Sequence, residues 1–273
     1  FMWIGTNDGV NSFDGYSFKN YVPDINDSTA ISGRRITAIR EIENNKILMS
    51  TADGALSVYD KRSRTFSPVS INVPDSITHE FNGAYGIGLT NKTIYVGFGN
   101  YILKIDKETQ EQGLIGIDTR RKFPNLNISR MKFILLEDGR NMVIQLNNRA
   151  FGVLNIATDE VEITRWRQGS ISDICAASDN EFYLCTTNGL KIYNISTGEI
   201  KDASILQRTP VQSITKDANN NLWLAYDNNH LMEILMNSIQ RIPYVQSTDT
   251  MISLDEAFER QVWVKNYQHK NFT

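Results

Sequence analysis

The 273-residue sequence holds few of the residues that carry chemistry. It has three histidines, His79, His230 and His269, and none lies within five residues of another. The paired spacings that hold zinc are therefore missing. Two cysteines, Cys175 and Cys185, are too few for a disulfide scaffold. They flank Asp179-Asn180, which reads as a hairpin turn, and are expected to be small buried thiols on neighbouring strands. Neither charge sign dominates: 28 Lys+Arg against 31 Asp+Glu leave a net charge of −3. That balance lacks the basic footprint of a nucleic-acid-binding protein. No apolar run approaches the 18 or so residues of a membrane span. The first residues, Phe1-Met2-Trp3-Ile4-Gly5-Thr6, resemble neither a secretion signal nor a translation start, and read as the middle of a strand. There is no Gly-X-Ser-X-Gly elbow and no Gly-rich phosphate loop. No metal or cofactor site is expected, and catalysis is disfavoured.

What the sequence does hold is a repeat. A short apolar strand, a turn centred on Gly or Asn, and a second apolar strand ending in Asp or Asn recur along the chain. Clear copies begin at Met2-Trp3-Ile4-Gly5-Thr6, Ile47-Leu48-Met49-Ser50-Thr51 and Phe182-Tyr183-Leu184-Cys185-Thr186. With weaker copies included, the anchors fall at about 3, 48, 95, 143, 183, 223 and 263, a spacing of 40 to 48. Four short strands in that period is the range of β-propeller blades. Upstream of each later anchor lies a further strand: Ile36–Ile42, Tyr85–Leu89, Met131–Leu136, Ile171–Ala176, Val211–Lys216 and Met251–Leu254. Downstream, Asp14, Asp60, Asp106 and Asn194 start turns in which an acceptor side chain folds back on the backbone. Ser253–Gln261 has helical propensity, but its place in the repeat predicts strand and turn.

These readings predict an all-β chain: a single seven-bladed propeller over 1–273, with four-stranded antiparallel blades. The first repeat lacks an innermost strand, and the seventh stops after two strands, as expected of part of a longer chain. Six blades, closed by lending Met251–Leu254 to the first, is the alternative. The run Gly83-Ala84-Tyr85-Gly86-Ile87-Gly88 lies in a strand, where missing β-carbons allow close blade packing.

The segment from Met2 through Gly5-Thr6-Asn7-Asp8-Gly9-Val10 and Phe13-Asp14-Gly15-Tyr16 to Phe18 resembles the first repeat of the two-component regulator propeller family. Thr51–Asp60 and Thr186–Asn194 repeat the pattern; Asn147-Asn148-Arg149 departs from it. The resemblance implies the N-terminal sensor propeller of a bacterial hybrid two-component system. It implies a periplasmic location in an inner-membrane protein, adjoining propeller and β-sandwich domains, and a homodimeric full-length histidine kinase. It also implies recognition of oligosaccharides from glycan breakdown, with transcription switched in response. A constitutive protein-interaction propeller is the alternative, and a propeller lyase or hydrolase a third. Kelch and WD-type scaffolds are disfavoured, since the sequence has neither a Gly-Gly pair nor a Trp-Asp dipeptide.

In a propeller, the loop entering each innermost strand shares a face with the turn between strands two and three. Arg34, Arg35, Arg120, Arg121, Arg165, Trp166 and Arg167 fall in such loops; Asn148, Arg149, Asn229 and His230 fall in such turns. Arginine forks and an indole stacking face would suit an oligosaccharide bearing carboxylate or sulfate groups, or an adjoining protein domain. Trp3, Trp223 and Trp263 recur at the anchor position and are expected between blades. Lys61-Arg62-Ser63-Arg64 is expected to be a solvated hairpin tip.

Overall fold

The structure is a computed structural model that describes residues 2–43, 45–81, 83–117, 123, 126, 128, 130–203, 206–217, 219–226, 230–235 and 263–268. For 230–235 and 263–268 only the backbone is described. The chain forms two compact units, 1–165 and 166–273.

Among the described residues, the first unit contains four antiparallel sheets, each meandering in chain order. The first has three strands, β1 (Met2–Thr6), β2 (Gly9–Phe13) and β3 (Phe18–Tyr21). The second is β4 (Ile36–Glu43), β5 (Lys46–Thr51), β6 (Leu56–Asp60) and β7 (Thr65–Pro68). A 3-10 helix, Asp75–Phe81, leads to β8 (Gly86–Leu89), β9 (Thr93–Phe98), β10 (Tyr101–Asp106) and β11 (Gln112–Gly116). The fourth is β12 (Lys132–Leu135), β13 (Asn141–Asn147), β14 (Ala150–Asn155) and β15 (Glu160–Arg165). The second unit contains β16 (Ile171–Ala176), β17 (Glu181–Thr186), β18 (Gly189–Asn194) and β19 (Ile200–Asp202), then β20 (Val211–Lys216), β21 (Leu222–Tyr226), β22 (His230–Leu235) and β23 (Trp263–Gln268).

The anchors from residue 3 to 223 each fall in the strand the repeat assigns them, and among the described residues the first sheet has no innermost strand, as expected. The last anchor is corrected. Trp263–Gln268 does not open a seventh repeat but pairs with β22 as the outer strand of the sixth sheet, Trp263 opposite Leu235. Period-2 alternation marks a strand without fixing its neighbour, so the sequence pattern alone could not choose. The expected strand at Met251–Leu254 and the turn over Ser253–Gln261 lie outside the described residues. No helix among the described residues is long and apolar enough to cross a membrane.

Two local devices explain why the repeat looks as it does. In the Thr-X-X-Gly turn, the Thr6 hydroxyl donates to the Gly9 carbonyl at 2.9 Å and accepts from the Asp8 N–H at 3.1 Å. Thr186 repeats this with Gly189 and Asn188 at 2.6 and 3.1 Å. Gly9 and Gly189 have φ of +93° and +101°, and a β-carbon on either would strike the backbone carbonyl of Tyr21 or Gln207. Only glycine meets both demands. In the second device, Asp60 Oδ1 accepts from the N–H groups of Arg62 and Ser63 at 2.7 and 3.2 Å. Asp14, Asp106 and Asn194 form the same turn.

Sheets within a unit stack through apolar layers. Trp3, Val10 and Tyr21 of the first sheet meet Ile47, Tyr59 and Phe66 of the second. Leu48 and Leu56 join Ile87, Val96 and Leu103, and Tyr95 and Ile102 join Met131, Phe133 and Ile144. In the second unit Cys185 and Leu190 pack with Val211, Ile214 and Leu224. Burying each large side chain contributes about 1.5–3 kcal/mol. Cys175 and Cys185 are both buried and unbonded, as expected; Cys175 faces Tyr183 and Cys185 faces Asp173 across the ladder.

Candidate functional site

The loops entering the innermost strands do lie against the turns between strands two and three. Gly9 N–H donates to the Arg34 carbonyl at 2.6 Å, and Ala52 N–H to the Arg35 carbonyl at 2.8 Å. In the second unit Asn188 Nδ2 donates to the Gln168 carbonyl at 3.1 Å.

Arg34 is exposed, and its guanidinium pairs with Asp8 at 2.8 Å. Arg35 is exposed beside it. Asn148 and Arg149 are exposed at the β13–β14 turn, where Asn147 Oδ1 accepts from the Arg149 N–H at 2.7 Å. Arg165 ends β15 with its guanidinium 5.1 Å from the centre of the Phe123 ring, a cation–π contact that uses its stacking face. Arg167 is exposed. Arg120, Arg121 and Asn229 lie outside the described residues, as does the side chain of His230.

Trp166 is a correction. Expected to be an exposed stacking platform, it is only 4% exposed, and its indole N–H has no partner among the described residues. A buried ring has no free face for a sugar. Trp3 and Trp223 are half-buried, and Trp223 Nε1 donates to Asp217 Oδ2 at 3.2 Å. The side chain of Trp263 lies outside the described residues.

A cavity of about 410 Å³ opens elsewhere, along the innermost strands of the first unit. Ile36–Arg40 of β4 form one wall, Tyr85, Gly86 and Ile87 a second, and Arg130 to Phe133 a third, with Gly5 of β1 completing the lining. The local fold explains who faces whom. Gly86 and Gly97 are opposed in the β8–β9 ladder, and Met131 seats in the space their missing β-carbons leave. Arg130 and Lys132 flank Met131 at the entry to β12, and all three line the cavity. On β4 a register shift between Ile36 and Ala38 locally breaks the ladder, and the Thr37 hydroxyl lies 2.9 Å from that of Ser50.

The cavity thus carries three cations, Arg40, Arg130 and Lys132, and the hydroxyls of Tyr85 and Thr37. No lining residue among those described is acidic. Arg40 is an exposed residue, and partial desolvation pulls its pKa below the usual arginine range. Its Nη1 donates to the Ile39 carbonyl at 2.9 Å. These three cations were missed by a reading that looked for basic residues in loops. The signal was a cation inside an otherwise apolar innermost strand, as in Ile36-Thr37-Ala38-Ile39-Arg40.

Stacked, antiparallel, mostly four-stranded sheets in chain order define a β-propeller fold. No protein-family model matches the sequence, and no curated protein matches it. Solved structures do match its backbone. One is the extracellular domain assigned to the hybrid two-component system BT3049 of B. thetaiotaomicron, with TM-score 0.66 and 21% identity over 85% of this chain. The corresponding domain of BT4673 from the same organism gives 0.63 and 20% over 92%. This chain spans 31% and 32% of those two structures, about a third of their length. Virginiamycin B lyase from Staphylococcus aureus gives 0.63 and 14% identity, covering 99% of this chain and 81% of the lyase.

Proposed function

We propose that this propeller is an extracytoplasmic ligand-recognition module of a hybrid two-component sensor, and that it binds oligosaccharides released by glycan breakdown without turning them over. The observation that carries the reading is the backbone match to two extracellular domains of such systems over 85% and 92% of the chain. The Thr-X-X-Gly and Asx turns of the repeats that resemble that family are formed in the structure, which supports the reading. On this reading the propeller lies in the periplasm beside further propeller and β-sandwich domains of a homodimeric inner-membrane protein. Ligand would change the relative placement of these rigid parts and bias the kinase through contact.

A lyase reading has its own support, because a lyase is matched over 81% of its length. Incubating the protein with a panel of glycan oligosaccharides separates the two. Calorimetric binding with the oligosaccharide recovered intact by mass spectrometry supports recognition. Release of unsaturated or shortened products establishes an enzyme instead. Binding of a protein partner with no response to any glycan would favour a constitutive scaffold.

A further inference from the structure

We propose that Tyr21 and Tyr59 form an oxidative cross-linking site, where one-electron oxidation joins the two side chains as a dityrosine between the first and second sheets. The inference stands apart from the ligand-recognition reading and does not depend on it.

The two phenols stand on β3 and β6, 38 residues apart in the chain, and their hydroxyl oxygens lie 3.3 Å apart. Their ring centres are 5.6 Å apart at 65°, so the hydroxyl-bearing edges converge. Tyrosyl radicals couple at the ring carbons beside the hydroxyls, and here those edges already meet. Trp3 stacks on Tyr21 at 5.7 Å and meets Tyr59 edge-on at 4.8 Å, so an electron lost from the indole can be replaced by the pair. Phe66 packs on both rings at 5.4 and 4.9 Å, and Tyr59 is only 5% exposed. That enclosure favours coupling of each radical with the other. Burial opposes ionisation of both phenols. For Tyr21 the hydrogen bonds of Tyr59 and Ser12 and the charge of Lys19, whose Nζ lies 4.8 Å from the ring centre, prevail and lower its pKa. Burial and the neighbouring Tyr21 push Tyr59 upward. Tyr59 is therefore the hydrogen-bond donor, and Tyr21 the phenol that gives up its proton more readily. In the reaction each phenol loses an electron and a proton, and the two radicals form one carbon–carbon bond. The hydrogens on the joined carbons then move to the oxygens and restore both phenols. Two electrons and two protons leave in all, taken up by two equivalents of a one-electron oxidant such as a peroxyl radical or a peroxidase intermediate.

The test is photo-oxidation of the dilute 273-residue chain with tris(bipyridine)ruthenium(II) and persulfate. A monomer lighter by two hydrogen atoms is expected, with dityrosine fluorescence and a linked Tyr21–Tyr59 peptide on digestion. Tyr21→Phe and Tyr59→Phe keep the rings and should each abolish that product. Tyr16→Phe, at a position 97% exposed and open to other molecules, should leave it unchanged. Unfolding in urea before irradiation should cut the yield by about tenfold or more, because the two rings are no longer held together. Mapping the link in the parent chain does not depend on how the variants fold. Cross-links found only between molecules, a monomeric link mapped to other tyrosines, a product that survives Tyr59→Phe, or a yield that unfolding does not lower would overturn the proposal.

Discussion

The backbone carbonyl of Met131 occupies the place where a β-carbon on Gly86 would stand. Gly88, two residues on, is also closely met, its would-be β-carbon lying 2.6 Å from Cβ of Phe133. Two glycines on one face of β8 thus let β12 come within backbone distance, and this contact sets one wall of the basic cavity. Gly86→Ala should cost about 1–3 kcal/mol or more, because backbone rather than a flexible side chain must give way. Gly116→Ala, with nothing within 4 Å of the new carbon, should stay within about 0.5 kcal/mol of the parent. Denaturant midpoints of the two variants check the contrast; equal losses would contradict the packing argument.

Asp173 is 4% exposed and ties two sheets of the second unit together. Its Oδ2 accepts from the Ser213 hydroxyl at 2.8 Å and the Ile214 N–H at 3.1 Å, and its Oδ1 from the Ile174 N–H at 3.0 Å. Asp173→Ala leaves these buried donors unmet and should destabilise by about 1–3 kcal/mol. Asp173→Asn keeps an acceptor oxygen and should lose less. Chemical unfolding of both variants tests the order.

The Asx turns predict an acid limb in stability. Asp14 is held below the ordinary aspartate range by the N–H groups of Ser17 and Tyr16, Asp60 by those of Arg62 and Ser63, and Asp106 by those of Thr109 and Glu108. A carboxylate with a lowered folded pKa stabilises the fold above the unfolded value of about 3.9, and the gain is lost as pH falls through the folded value. The thermal midpoint should therefore drop below about pH 4. In Asp60→Asn/Asp106→Asn the turn acceptors remain but the charges do not, so its deficit at pH 7 should shrink on acidification. A deficit that stays constant with pH would contradict this.

Cys175 and Cys185 occupy adjacent strands but are not opposed. Native protein should therefore show no disulfide by mass spectrometry, slow reaction with thiol reagents until unfolded, and a thermal midpoint indifferent to reductant.

Much of this fold could be read from the sequence because a propeller repeats its local chemistry. The glycine at positive φ in each Thr-X-X-Gly turn and the side-chain acceptor in each Asx turn recur for stereochemical reasons, so they mark strand ends at a fixed period. The spacing of Gly83-Ala84-Tyr85-Gly86-Ile87-Gly88 likewise predicted close packing that Met131 and Phe133 supply. Two features were not legible. Trp166, between Arg165 and Arg167, has exposed neighbours on both sides yet is buried, since alternation lets one residue turn inward between two solvated ones. The basic cavity joins Arg40 to Arg130 and Lys132, about 90 residues apart in the chain, through sheet stacking that no local pattern encodes.

The most direct test of the sensor reading is the complete coding sequence on both sides of these 273 residues. The account predicts a secretion signal upstream and, downstream, further propeller repeats, one apolar span of about 20 residues and a histidine kinase. A reading frame that ends soon after Thr273 with neither span nor kinase would contradict it, and would point to a free-standing binding or catalytic propeller.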